Sequence, residues 1–321
     1  MRRVSTMTGV LVTGGAGFIG SHVADQLVLA QVPVTVLDDL STGRQEQVPV
    51  GAEFVHLDIR SPAARNLVAS GRFHTLVHLA AQADVRVSVE RPGFDADVNV
   101  AGFLNLLGGA SAGGIRRVVF ASSGGVVYGA AEQIPTTETA PKAPTSPYGV
   151  SKLASEHYLR VLGALEGYEV AALRFANVFG PRQDPTGEAG VVAIFLGRLL
   201  AGEPLTVFGD GRQTRDFVHV EDVARAVVLA TTAPLDVPNA PDDIAVNIGT
   251  GVETSVLELV TALEEATGHR AEVRFEAARP GELRRNALAV SRAAAVLGWR
   301  PARTLGQGLT ELRDHFQRSG S

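Results

Sequence analysis

Short apolar runs rich in β-branched residues recur along this chain: 9–13 (GVLVT), 33–38 (PVTVLD), 53–58 (EFVHLD), 75–80 (TLVHLA), 117–122 (RVVFAS) and 169–175 (EVAALRF). Between them lie longer stretches with helical spacing, at 18–31, 61–71, 92–113 and 147–167. Continuous apolar strands alternating with amphipathic helices predict βα units around a parallel sheet covered on both faces. The expected fold class is therefore α/β, a doubly wound parallel sheet of the Rossmann kind.

After Asn177 the pattern loosens, with loops at 180–190 and 234–243 that carry Gly and Pro. Helices are expected near 190–202, 221–232, 253–267 and 291–298, and short strands at 204–208 and 272–275. The run DIAVNIG at 243–249 reads as one more buried strand. The expected division is a larger parallel-sheet (Rossmann) domain over 1–177, with returning segments near 216–232 and 243–250. A smaller α/β C-terminal lobe for substrate, over 178–321, is interleaved with it.

A chain of 321 residues, 45% hydrophobic and 20% charged, has room for a large core and two lobes. Its net charge of -5 and lack of a basic block argue against nucleic acid or an anionic membrane as partner. No apolar run approaches the ~20 residues that a spanning helix requires. The absence of cysteine excludes disulfides and thiolate chemistry and suits a reducing, cytoplasmic setting. The opening MRRVSTMTG runs straight into the first strand and is expected to be a short ragged end rather than a leader. The histidines are scattered, His74 and His78 being the only close pair, and no metal site is expected.

The chemistry begins at TGGAGFIG, between the first strand and the first helix. Gly14, Gly15, Gly17 and Gly20 satisfy the spacing that lets a backbone turn tightly and a pyrophosphate approach a helix N-terminus. The second strand ends in Asp38, where a carboxylate hydrogen-bonds an adenosine ribose and repels a 2′-phosphate, which selects NAD over NADP. Asp58, after the third strand, stands where the adenine edge is expected.

Far downstream, Tyr148 and Lys152 lie one helical turn apart. Ser146 suits the N-cap and Pro147 the first helical position, so Tyr148 falls in the first turn. A neighbouring ammonium favours a phenolate, and so does the positive end of the helix dipole. The pair is expected to make Tyr148 a usable base near neutral pH.

Taken in order, the glycine loop, Asp38, Asp58, HLAAQADVRVS, ASSGGVVYG, SPYGVSK, LRFANVFGPRQ, GDGRQTRDFVHVEDV and RPGE make the sequence resemble the extended short-chain dehydrogenase/reductases. More narrowly it resembles the nucleotide-sugar 4-epimerases, over essentially the whole chain. The resemblance implies a catalytic Ser/Tyr/Lys set, with Tyr148 and Lys152 matching directly. Counting from the strand places the serine at Ser123, with Ser122 in reserve, whereas counting back from VYG falls on Gly124.

The resemblance further implies a cofactor site formed by Gly14, Gly17, Phe18, Ile19, Gly20, Asp38, Asp58, Ile59, Leu79, Ala80, Ala81 and Asn99, together with Tyr148 and Lys152. Asn99 also matches an asparagine that supports the active-site helix. The implied substrate is a UDP-sugar, met by Ser123, Asn177, Val192, Phe208, Arg215, Arg279 and Glu282, with Phe208 beside the uracil. The implied reaction is NAD-dependent 4-epimerisation through a transient 4-keto sugar, and the implied assembly is a homodimer through helices 92–113 and 147–167.

Gly124 and Gly125 replace the acidic residues with which related dehydratases and decarboxylases act. Asn286 stands where a bulky tyrosine restricts the sugar in some relatives. Glucose/galactose, glucuronate/galacturonate and N-acetylhexosamine forms all remain open at this point. The alternatives are a UDP-glucuronate decarboxylase and a non-catalytic NAD-sensing regulator.

Overall fold

The computed structural model describes residues 9–184, 190–235, 240, 242–279 and 282–319. The expected N-terminal end at 1–8, parts of the loops at 180–190 and 234–243, and Pro280 and Gly281 of RPGE lie outside the described residues.

Among the described residues, thirteen strands run along the chain: β1 (Gly9–Thr13), β2 (Val34–Asp38), β3 (Glu53–His56), β4 (Phe73–His78), β5 (Arg117–Ser123), β6 (Glu169–Phe175), β7 (Asn177–Phe179), β8 (Leu205–Phe208), β9 (Thr214–Arg215), β10 (Phe217–His219), β11 (Ala245–Ile248), β12 (Thr254–Ser255) and β13 (Val273–Glu276). The helices are α1 (Phe18–Leu29), α2 (Pro62–Val68), α3 (Val85–Glu90), α4 (Pro92–Ala96), α5 (Phe103–Gly113), α6 (Pro147–Glu166), α7 (Val191–Leu200), α8 (Val220–Ala230), α9 (Val256–Thr267), α10 (Ser291–Leu297) and α11 (Leu305–Ser319).

Seven strands form one parallel sheet in the order β11-β6-β5-β4-β1-β2-β3. The order reverses between β1 and β4, which opens a crevice at the carboxyl ends of those strands. Both faces are covered. One core includes Val12, Val36, Val77 and Leu173, and the other Leu11, Leu76, Val118 and Phe120, so alternate residues of the same strands serve opposite layers. This is the doubly wound α/β fold that the apolar runs predict.

The chain then builds two-stranded sheets, β7 with β10, β9 with β12 and β8 with β13. A third core gathers Val192, Leu196, Leu205, Val207, Leu259, Leu263, Leu309 and Leu312 from α7, β8, α9 and α11. Between these elements the chain returns to the first layer: α8 packs on α1, and β11 extends the main sheet beside β6.

Helix 92–113 is not uniform. A π-helical stretch, Asp97–Gly102, joins α4 to α5. It brings Asn99 inward, and Gly102 lies so close to Ile59 that a Cβ there would sit 2.8 Å from its side chain. Single π turns of this kind are common at functional sites.

Candidate active site

The glycine loop is shaped by backbone contact. Gly14 has φ +69, and a Cβ on it would lie 2.6 Å from the Ala80 nitrogen, while one on Gly20 would lie 2.0 Å from the Gly14 carbonyl. A side chain on Gly14 would push the loop away from the segment that follows β4, and one on Gly20 would push helix α1 off the Gly14 turn. Leu79 and Ala80 hold that wall through bonds to Thr13, from Leu79 N–H to the carbonyl at 3.0 Å and from Ala80 N–H to the hydroxyl at 3.4 Å. Gly17 caps α1 with no side-chain acceptor, so the N–H groups of Phe18 and Ile19 point outward as an anion cradle. This cradle fits a dinucleotide pyrophosphate.

Asp38, at the end of β2, is buried and accepts from Ala16 N–H at 3.0 Å and from Leu40 N–H at 2.9 Å. Burial raises its pKa above the usual carboxylate value, and those two N–H groups act against that shift. Each oxygen keeps a second lone pair for a ribose hydroxyl. Asp58 is gripped by the Arg60 fork, which holds its carboxyl below the ordinary value, and Arg60 also reaches Asp97 at 2.8 Å. Ile59 is buried against the helical layer, and its carbonyl accepts from the Asn105 amide at 2.8 Å. Ala81 follows Ala80 and is half-buried.

On the other side of the crevice Ser146 caps α6, accepting from Gly149 N–H at 3.2 Å with Pro147 behind it. Tyr148 therefore stands in the first turn, and Lys152 one turn further along. The buried Lys152 ammonium lies 5.7 Å from the Tyr148 ring centroid and 5.0 Å from that of Phe120, and it donates to the Ala121 carbonyl at 2.9 Å. Neither the Tyr148 hydroxyl nor that of Ser123 has a hydrogen-bond partner among the described residues.

The electrostatics correct one expectation. Spacing alone predicts that the ammonium lowers the phenol's pKa, but burial and the Asp95 carboxylate push Tyr148 above its ordinary value. Burial also lowers Lys152 to about 8, with Asp95 and Glu156 acting the other way. Desolvation outweighs the neighbouring charge here.

Ser122 and Ser123 separate clearly. Ser122 is buried and donates to Glu156, which is itself paired with Arg174. Ser123 is half-buried with its hydroxyl unclaimed among the described residues. A Cβ on Gly124 would fall 2.5 Å from Leu288, so the position reached by counting back from VYG is filled by a neighbour's side chain.

Asn99 is consumed within the protein. Its amide donates to the Gln82 carbonyl and to Asp95, its side-chain oxygen accepts from Gln82 N–H, and its carbonyl accepts from Ser155. It props the segment after β4 against α6.

The expected nucleotide-side residues gather at a second cluster. The Arg215 guanidinium pairs with Glu282 at 3.0 Å, and the Arg279 guanidinium lies 3.8 Å over the Phe208 ring. Burial lowers the pKa of Arg215. Val192 buries its side chain in the third core, so only its backbone, in the uncapped first turn of α7, is left for a ligand. The buried Asn177 side-chain oxygen has no partner among the described residues. The segment 282–288 links the two clusters: Thr214 N–H donates to Arg284, Asn286 reaches the Gly124 carbonyl at 3.4 Å, and Leu288 N–H binds the buried Asp216 carboxylate.

Sequence reading missed Asp95, Gln82 and Ser151, which tie α4 to α6 behind Lys152. Asp95 lies one helical turn before Asn99, the only signal the sequence holds for it. Among the described residues no metal-binding cluster exists, and no helix is long and apolar enough to cross a membrane.

Residues 10–249 match the NAD dependent epimerase/dehydratase family. The chain belongs to that family. It is 45% identical to a UDP-glucose 4-epimerase of Mycolicibacterium smegmatis over 96% of this chain and 98% of that protein. The structure of a Thermotoga maritima UDP-glucose 4-epimerase with UDP-glucose superposes with a TM-score of 0.93 at 41% identity, covering 98% of this chain and 100% of the other. A Thermus thermophilus UDP-glucose 4-epimerase in complex with NAD gives 0.89 at 43% identity, over 96% and 98% of the two chains.

Proposed function

We propose that this protein interconverts the C4 epimers of a UDP-hexose, UDP-glucose and UDP-galactose first among them, with NAD held in the sheet crevice. The observation that carries the proposal is the pair of hydroxyls, Tyr148 and Ser123, unclaimed among the described residues and registered on either side of the buried Lys152–Ala121 contact. Identities of 41–45% over nearly the whole chain to UDP-glucose 4-epimerases support it.

In this reading Gly14, Gly17 and Gly20, with the N–H groups of Phe18 and Ile19, hold the pyrophosphate. Asp38 takes the adenosine ribose, Asp58 and the Ile59 backbone meet the adenine, and Leu79, Ala80 and Ala81 form the wall that Asn99 supports from behind. The chemistry that bound NAD would supply is reversible hydride acceptance: the C4 hydrogen would leave as hydride to give a transient 4-keto sugar and, once the sugar has turned, come back to the opposite face of C4, while the positive charge of the ring would favour the Tyr148 phenolate. Tyr148 takes the O4 proton and returns it, Ser123 hydrogen-bonds O4, and Lys152 holds the nicotinamide ribose.

On the nucleotide side Arg215 and Arg279 take the diphosphate, their planar forks suiting paired oxygens. Phe208 stacks on the uracil, Glu282 takes the ribose, and Asn177 and the Val192 backbone complete the grip. Because the Arg279 guanidinium covers Phe208, it moves aside when a base enters.

The partner we propose is a second copy of this chain. Of the two helices expected to pair, α6 exposes Val150, Tyr158, Val161 and Leu165, whereas 92–113 exposes no large apolar side chain among the described residues; the short α3 before it, with Val85 and Val89, takes its place in the proposed interface. Sedimentation should show a dimer at micromolar concentration, and a strict monomer would remove this part. The cysteine-free sequence keeps the cytoplasm as the proposed setting. The function itself is tested by incubating purified protein with a panel of UDP-sugars, no NADH added, and resolving 4-epimers chromatographically.

A further inference from the structure

Asp95 is fully buried in α4, and its carboxylate accepts three hydrogen bonds: from Gln82 at 2.9 Å, from Asn99 at 3.0 Å and from Ser151 at 2.6 Å. All three donors are neutral. A buried carboxylate whose hydrogen-bond partners are all neutral is costly in a low-dielectric site unless a cation lies nearby.

The cation nearby is Lys152. It follows Ser151 directly, it is buried, and its one hydrogen-bond acceptor among the described residues is a carbonyl. The other carboxylate near it, Glu156, is already committed to the Arg174 fork on β6, with Nη2 2.6 Å from the acid. Buried His78 on β4 faces the same ammonium, and desolvation keeps it neutral. Tyr148 on α6 completes the set of titratable groups around Lys152. Of these described groups, Asp95 alone carries a charge that no other cation neutralises.

We propose that Asp95 is a positioning residue for the reaction: its carboxylate balances the Lys152 ammonium across the α4–α6 contact, and its three donors fix where the Tyr148–Lys152 pair stands. The inference rests on the reading of Tyr148 and Lys152 given above. Asp95 is fully buried with its oxygens engaged by Gln82, Asn99 and Ser151, so it acts through Lys152. Removing its charge leaves the ammonium uncompensated, so Lys152 gives up its proton at lower pH, while Tyr148 loses a repelling neighbour.

The test is Asp95→Asn in the NAD-loaded protein. The replacement oxygen can accept from Gln82 and Asn99, and the new amide can donate to the Ser151 hydroxyl, so the contacts survive while the charge goes. The expected result is an alkaline limb of kcat displaced downward by about one pH unit, with kcat at pH 8 lowered several-fold and KM little changed. Ser151→Ala, which removes a donor but keeps the charge, should leave that limb in place even if it lowers the melting temperature. Should Asp95→Asn fail to fold, Asp95→Ser, equally neutral, is read the same way.

A folded neutral variant with the wild-type alkaline limb would overturn the proposal and leave Asp95 a packing residue. That outcome, beside an inactive Tyr148→Phe, sinks this inference alone. An active Tyr148→Phe would instead remove the reading on which it rests.

Discussion

The Lys152 ammonium is hydrogen-bonded to the carbonyl of Ala121, 2.9 Å away, and so ties the second turn of α6 to the end of β5. Two residues beyond Ala121 stands Ser123, and one turn before Lys152 stands Tyr148. A single buried contact thus registers both unclaimed hydroxyls against each other.

This contact predicts a pH dependence. Burial lowers Lys152 to about 8, so the ammonium is present below that pH and is lost as pH rises through it. Wild-type kcat should decline above about pH 8, and Lys152→Met should be reduced by about 10²-fold or more, with no comparable limb. A stopped assay across pH 6–10 reads both, and a wild-type profile flat to pH 10 would contradict the assignment.

The loop geometry predicts a sharp steric requirement. Gly14→Ala places a Cβ 2.6 Å from the Ala80 backbone at φ +69. The strain should cost about 1–3 kcal/mol and release NAD. The readout is the dinucleotide that the purified variant still holds, measured by absorbance in the supernatant after denaturation. Full retention of the dinucleotide would show that the loop is not its cradle.

The Arg174–Glu156 pair is buried on both sides, at 1% and 5% exposure. Glu156→Gln leaves the Arg174 charge with only the partly exposed Asp242, 3.7 Å away, and removal of one member of such a buried pair destabilises by about 3–5 kcal/mol. Urea denaturation measures this, and a loss below about 1 kcal/mol would place the pair among weak surface contacts.

His78 gives an acid-side prediction. Buried beside the stacked Phe103 and Phe120 rings, with centroids at 4.6 and 5.9 Å, it is pushed down to about 3 by desolvation. As pH falls, the unfolded chain takes up this proton first. Its stabilising contribution is complete above about pH 6.5 and is lost on the way down to about 3. His78→Gln should flatten that part of the stability curve, and an unchanged slope would count against the buried neutral ring.

Much of the fold was legible because strands buried on both faces must be continuously apolar, as in GVLVT and EVAALRF, and the helices between them keep their spacing. Helix α3, six residues long, is too short to show a period, and α11 buries only Leu309 and Leu312 fully. The two- and three-residue strands β7, β9, β10 and β12 exist through pairing with distant segments, which no local pattern encodes.

The site was legible where chemistry dictates spacing, as in the glycine loop and at Tyr148 and Lys152. It was not legible where burial decides. A lone Asp95 in a helix reads as a solvated charge, and only its three neutral donors reveal otherwise. Desolvation likewise reverses the direction expected for the Tyr148 phenol.

The most direct test is conversion of UDP-glucose to UDP-galactose by purified protein without added NADH, comparing wild type with Tyr148→Phe. The account predicts turnover by the wild type and a loss of about 10²–10⁴-fold in kcat on removal of the one hydroxyl, with the fold intact. Equal rates for the two proteins, or no 4-epimer from any UDP-hexose, would contradict it.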